Sequence, residues 1–287
     1  MGFNTVSTVA QKLDANSEVW LSFIHKTSCP DGSAGDWIDL SMAPGTPKYN
    51  AYVGDQATFT PLNGVGNDGI YTGESAPGKS KYLASWWMQT MSVDNVPATV
   101  YLLDYVGFYP MIDLDSTDPQ YMDNTVPLPR YTDGRGLRMF LVATISTATS
   151  VNLTIKYTNQ DGISGRTSSN SLMIGAFTGN IISTPRPSYT ATLRGPFCAL
   201  DGGDIGVRSV EEILLDASAG GFGCLVLAKP IAQLFLGEMG VVSEIEFWRQ
   251  KASLPKIEDS AYLNMIAGIG GIITPSIWRG GITIVRD

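Results

Sequence analysis

The chain is short of charge. Lys, Arg, Asp and Glu make up 16% of its 287 residues, against about 25% in an ordinary soluble domain. A freely dispersed monomer carries more surface charge than this, so the shortage points to a surface partly covered by neighbours, and homo-oligomeric assembly is expected. Basic charge is the scarcer kind: 19 Lys and Arg stand against 27 Asp and Glu, a net charge of −8. That balance repels phosphate backbones, and the densest basic group, Arg130, Arg135 and Arg138, is interrupted by Asp133. Direct nucleic-acid binding is therefore not expected as the main role.

Histidine occurs once, as His25. A His-rich zinc site is excluded, and any Ser-His-Asp or Cys-His device would have to use this residue. It closes a strand-like run beside Lys26, which reads as structural. Cys29, Cys198 and Cys224 are odd in number and lack C-x-x-C spacing, so they are expected as buried, reduced thiols. The longest apolar stretches, such as Leu225–Ala228 and Ile231–Leu236, fall far short of the ~20 residues that span a bilayer. The opening Met1-Gly2-Phe3-Asn4 has neither the charge nor the apolar run of a secretory leader, and Val6 stands where a myristoylation signal has Ser or Thr. The expectation is a product of the cytoplasm with no membrane partner.

Glycine and proline, by contrast, are plentiful at 31 and 16 residues, and aromatics make up 10%. After a candidate helix within residues 2–16 (Val6, Val9 and Leu13 at helical spacing), apolar residues recur mostly with period two. Strands are expected at 18–25, 37–40, 51–53, 82–92, 98–107, 209–216, 223–229, 231–236, 261–267 and 281–285. Residues 138–146 and 151–158, joined by the short polar link 147–150, read as an antiparallel hairpin, followed by a turn at Asn159-Gln160-Asp161-Gly162. Only residues 240–250 suggest a second helix, with a loop or a few turns as the alternative. Many short strands broken by Gly, Pro and Asx indicate a mainly β fold of jelly-roll or β-sandwich type. Residues 1–112 are expected as an N-terminal β lobe opened by a short helix or arm, 113–129 as an Asp/Pro-rich connection, and 130–287 as a C-terminal β-sandwich lobe.

Several motifs suggest chemistry. Gly73-Glu74-Ser75-Ala76-Pro77-Gly78-Lys79-Ser80 matches the P-loop pattern, and the run ending in Asp104 resembles the strand whose acid holds Mg²⁺. The mechanism needs a strand before that loop and a helix after it. What precedes it is the turn-rich Gly64–Gly69, which itself fits G-x-G-x-x-G without the required flanks. A surface loop is the better reading, with nucleotide hydrolysis through Lys79, Ser80 and Asp104 as a remote alternative. The alternating acids Asp113, Asp115 and Asp118 could wrap a hard cation, but Asp118 and Asn124 stand where an EF-hand has Gly and Glu; a solvated loop with Asx-capped turns is preferred. Glu211–Glu212 and Glu244–Glu246 are weak candidates for paired carboxylates. No catalytic, cofactor or metal residue is assigned. The aromatic pairs Trp86–Trp87 and Tyr105–Tyr109, with Asp113 and Asp115, are the weak interface candidates.

Taken as they stand, VPLPRYTDGRGLRMFLV (126–142), YTNQDGISGRT (157–167), GPFCALDGGDIGVRSVEEILL (195–215) and LVLAKPI (225–231), with LLDYVGFYPMIDLDSTDPQYMDNT (102–125) upstream, resemble a family of uncharacterised structural proteins of tailed bacteriophages. The resemblance covers roughly the last two-thirds of the chain and includes no catalytic motif. It implies a virion component, generally without an assigned activity, and no enzymatic activity or cofactor is expected. Capsid cement or decoration is expected, with the major capsid protein as partner. The alternative is a tail or head-fibre protein with a glycan- or receptor-binding surface.

Overall fold

The computed structural model describes residues 5–16, 18–64, 68–172, 176–183, 195–250, 253–271 and 276–287. The fold is mainly β, as the period-two patterning predicts. In chain order the elements are α1 (Val6–Asp14), β1 (Val19–Lys26), β2 (Trp37–Asp39), β3 (Gly45–Thr46), β4 (Thr60–Pro61), β5 (Lys81–Thr90), β6 (Ala98–Asp113), β7 (Gln120–Tyr121), β8 (Arg138–Ala143) and β9 (Asn152–Asn159). There follow β10 (Arg166–Ser171), β11 (Asn180–Ile181), β12 (Val207–Leu215), β13 (Phe222–Leu236), β14 (Ser243–Glu246), α2 (Phe247–Gln250), β15 (Lys256–Ile257), β16 (Leu263–Ile269) and β17 (Trp278–Arg286).

Three layers result. The middle one follows the order β13-β8-β11-β2-β16-β6, and β13 also pairs with β6, so these six strands close into a barrel with β4 added on β6. Closure removes the free edges that an open sheet would leave. On one side lies the sheet β14-β5-β17-β1-β3, with β15 also on β5; on the other lies β10-β9-β12-β7. Alternation along the barrel strands feeds three cores. Leu103, Tyr105, Phe140, Val142, Cys224 and Val226 fill the barrel. Val100, Leu102, Met265 and Ala267 pack outward against Trp86, Met88, Ile282 and Ile284 of the first flanking sheet. Met139, Leu141, Leu225 and Leu227 pack against Leu153, Ile155 and Tyr157 of the second.

The expected hairpin of 138–146 with 151–158 does not form. β8 pairs with β13 and β11, whereas β9 pairs with β10 and β12. The link carries the chain from the barrel to the outer sheet, and the two strands meet by stacking across a shared core. Alternation in Leu153, Ile155 and Tyr157 identified the buried face correctly, but a buried face does not say whether its neighbour lies beside it or above it. The turn at 159–162 does form, closing β9 onto β10, with Gly162 at φ +78°. The strands expected at 223–229 and 231–236 are one strand, because a register shift between Pro230 and Ala232 absorbs the proline. Residues 240–250 hold the short strand β14 and a single helical turn, α2, and 51–53 form no strand.

Strand pairing also runs across the expected boundary at 113–129. β17 lies between β1 and β5, and β6 pairs with β13 along nearly its whole length. Residues 278–286 are thus a central strand of the first flanking sheet. At the other end, Thr5 caps α1 by accepting from the Thr8 N–H. Val9 and Leu13 then pack on Val19, Tyr82, Val285 and Trp248, so the helix covers one end of the first flanking sheet.

Candidate functional site

The other end of that sheet is open. On β1, Leu21 is 66% and Phe23 70% exposed. Register places Leu21 beside Thr283 and Phe23 beside Gly281, and these lie beside Ser85 and Trp87 of β5. A bond of 3.0 Å between the Ser85 and Thr283 hydroxyls ties the rows together. Gly281 has a specific use here: a Cβ would come within 2.7 Å of Trp87 Nε1, so the indole lies across the glycine. Phe23, the bare Gly281 and Trp87 therefore form one aromatic row on the outer face, with exposed His25 and Arg279 at its margin.

β1 is also close to being an edge strand. Its outer neighbour, β3, pairs only with His25 and Lys26, and the Ser22 hydroxyl donates to the Tyr71 carbonyl (2.6 Å) beyond that point. A groove of about 410 Å³ runs here between Phe23 and Tyr71, floored by Ile70 and bordered by Thr46–Lys48. Exposed edges and apolar faces of this kind are natural docking surfaces.

Of the interface residues expected from sequence, only Trp87 lies on this face. Trp86 is its neighbour on a strand, so it points the opposite way into the core and is fully buried. Tyr105 stands inside the barrel, and Tyr109 lies beneath the four-stranded sheet at 1% exposure; neither offers its ring to a partner. Asp113 and Asp115 are a turn device. Asp113 accepts from the Asp115 N–H (2.9 Å), and Asp115 accepts from the Ser218 hydroxyl (2.6 Å). Among the described residues, no three His, Cys, Asp or Glu stand in metal-binding geometry. The residues that sequence reasoning missed are Leu21 and Phe23. Both sit in the alternating run of β1, where the side assigned to the core depends on which face is covered.

The P-loop match lacks its scaffold. Residues 73–80 run straight into β5, not into a helix; Lys79 binds Glu18 (2.8 Å), and Asp104 is buried against Arg130. Residues 65–67 of the G-x-G-x-x-G match lie outside the described residues, and the strand-like bridge at Ile70 follows it. Glu211 accepts from Thr158 and Glu212 pairs with Lys156, while Glu246 pairs with Arg249.

The buried ionisable groups are engaged in holding the fold. Inside the barrel, Asp39 accepts from Ser41 N, Ser41 Oγ and Tyr105 Oη, each at 2.8 Å, and from Tyr52 Oη. Burial raises the Asp39 carboxyl above its usual range, and these donors oppose the rise. Lys26 donates to the carbonyls of Ala43 (3.1 Å) and Pro47 (2.6 Å), with burial bringing its ammonium down to about 8. Lys81 donates to Thr72 and Gly73. Cys29, Cys198 and Cys224 are free and buried, and burial pushes the Cys29 and Cys198 thiols up to about 12.

No family model and no curated protein matches the chain. Solved structures of infectious bursal disease virus particles align along most of its length. The VP2 subviral particle does so at 11% identity over 93% of this chain and 81% of the other, with a TM-score of 0.19. The Gt strain aligns at 12% identity over 94% and 82%, with a TM-score of 0.14. The derived T=1 particles align at 10% identity over 94% and 80%, with a TM-score of 0.16. TM-scores of this size define no shared fold.

Proposed function

We propose that the chain is a non-enzymatic structural protein of a tailed-phage virion, a cement or decoration subunit that binds the major capsid protein as a homo-oligomer. The observation that carries this reading is the open face of β1, β17 and β5, where Leu21, Phe23 and Trp87 stand on a rigid sheet in a chain with little surface charge. Burial of such a face between subunits stabilises a shell in proportion to the apolar area removed from water. The sequence resemblance to phage structural proteins supports the same reading. So does the fixed use of Asp39, Asp104, Lys26 and Lys81 in internal bonds.

The test is incorporation of Leu21→Glu/Phe23→Glu into particles. Both side chains are exposed, so the variant keeps its fold, and it is expected to remain in the soluble fraction while wild type sediments with virions. Equal incorporation of variant and wild type removes this face from assembly.

A tail or fibre protein with a glycan-binding surface is the second reading, favoured by the groove between Phe23 and Tyr71 with the Lys48–Asp68 ion pair beside it. Exposed rings next to polar groups suit the apolar face of a sugar. Glycan-array binding that Phe23→Ala and Tyr71→Ala abolish would favour it.

A further inference from the structure

We propose that a second pocket, on the opposite side of the barrel, binds a carboxylate carried on a small apolar group. This site is independent of the assembly reading. The pocket measures about 270 Å³, small for a ligand site and suited to a molecule of about ten heavy atoms. Its walls are apolar: Phe59 on one side and Val126, Pro127 and Leu128 on the other. Its floor is rigid, because the Tyr109 hydroxyl donates to Asn124 Oδ1 (2.6 Å) and accepts from the Val210 N–H (3.1 Å). Asn124 in turn donates to the Val210 carbonyl (2.6 Å).

The polar residues that line it are Arg208, Ser209 and Thr132, with Asn124 at the floor. β12 and β9 pair Val207 with Asn159 and Ser209 with Thr158, so Arg208 is the extra residue of a β-bulge. Bulges re-aim a side chain out of the regular alternation. Arg208 is exposed, passes beside Gly162 and makes no ion pair or hydrogen bond with any described residue. The nearby acids are otherwise engaged: Asp133 and Asp161 pair with Arg135, and Glu211 accepts from Thr158 and the Gly165 N–H. A guanidinium with no partner among the described residues, on a residue that lines the pocket, matches a planar carboxylate, and the apolar walls take the group that bears it.

Calorimetric titration with phenylacetate, N-acetylphenylalanine and the neutral phenylacetamide tests this. At least one acid is expected to bind once per chain, with about tenfold or greater weakening both for the amide and in Arg208→Gln. Saturable binding of N-acetylphenylalanine identifies a peptide C-terminus as the source of the carboxylate, and binding of phenylacetate alone identifies a free small acid. If Arg208→Gln does not fold, Val126→Asp, which sets a repelling charge on the lip, serves in its place. Failure of both acids to bind, or an affinity unchanged by the substitution, overturns the proposal.

Discussion

Removing the Arg130 guanidinium leaves a carboxylate stranded in the middle of the protein. Asp104 has no exposed surface and lies on β6 where it pairs with β16 and β13. Arg130 holds both of its oxygens, through Nε at 2.8 Å and through Nη2, and also donates to the carbonyls of Leu62 (2.7 Å) and Tyr105 (2.6 Å). In Arg130→Ala, among the described residues the Tyr131 hydroxyl (3.0 Å) and the Tyr262 N–H (3.0 Å) remain on Asp104. Breaking one side of a buried pair costs about 3–5 kcal/mol. For 287 residues, an unfolding entropy of about 2.1 cal/mol/K per residue gives roughly 0.6 kcal/mol/K, so Tm falls by about 5–8 °C. Replacing both partners in Asp104→Leu/Arg130→Met removes the stranded charge and recovers most of that loss. Calorimetry of the three chains reads the shifts. A fall under about 2 °C in Arg130→Ala, or a double variant less stable than the single one, refutes the assignment of Arg130 as the partner that holds the buried Asp104.

Gly280→Ala is expected to destabilise by about 1–3 kcal/mol and more than Gly281→Ala. Its Cβ would meet the Trp87 carbonyl at 2.6 Å, whereas that of Gly281 meets an indole that can swing outward. Denaturant titration giving the reverse order contradicts this packing. Glu18 is held down to about 2 from 4.5 by hydrogen bonds from Lys12 and Lys79, so the unfolded chain takes up this proton first. Its anchoring of α1 is complete above pH 4.5 and fades as pH falls through about 2, which hydrogen exchange over residues 6–14 will show as lost protection. Protection that is unchanged to pH 2 contradicts the role. The three buried thiols should resist a thiol reagent in the native protein and react only on unfolding; rapid native labelling of any of them contradicts their placement.

The strands were legible because β-branched and aromatic runs bounded by Gly and Pro mark extended chain whatever they pair with. Their partners were not. The local pattern of 138–146 and 151–158 is the same for a hairpin as for two stacked strands, and only long-range register separates the two. Barrel closure was equally invisible, since it rests on β13 meeting β6 across more than 100 residues of sequence. Trp86–Trp87 shows how far composition reaches: aromatic content announced a platform, yet strand alternation sends one indole into the core and leaves the other on the outer face. Leu21 and Phe23 escaped notice because their alternation with Ile24 and Lys26 looks like any half-buried strand. What makes them functional candidates is that α1 stops short of covering them. The bulge at Arg208 had no sequence signal, because it is a property of the pairing and not of the residue.

The proposed role of this protein is that of a structural part of a virion, docked through its open sheet face. Quantitative mass spectrometry of purified virions, counting copies of this chain against the major capsid protein, tests it most directly. A shell cement or decoration subunit is expected at a few tenths of a copy or more per capsid subunit. A ratio near one per hundred moves the protein to the tail or a fibre, and its absence from particles contradicts the account.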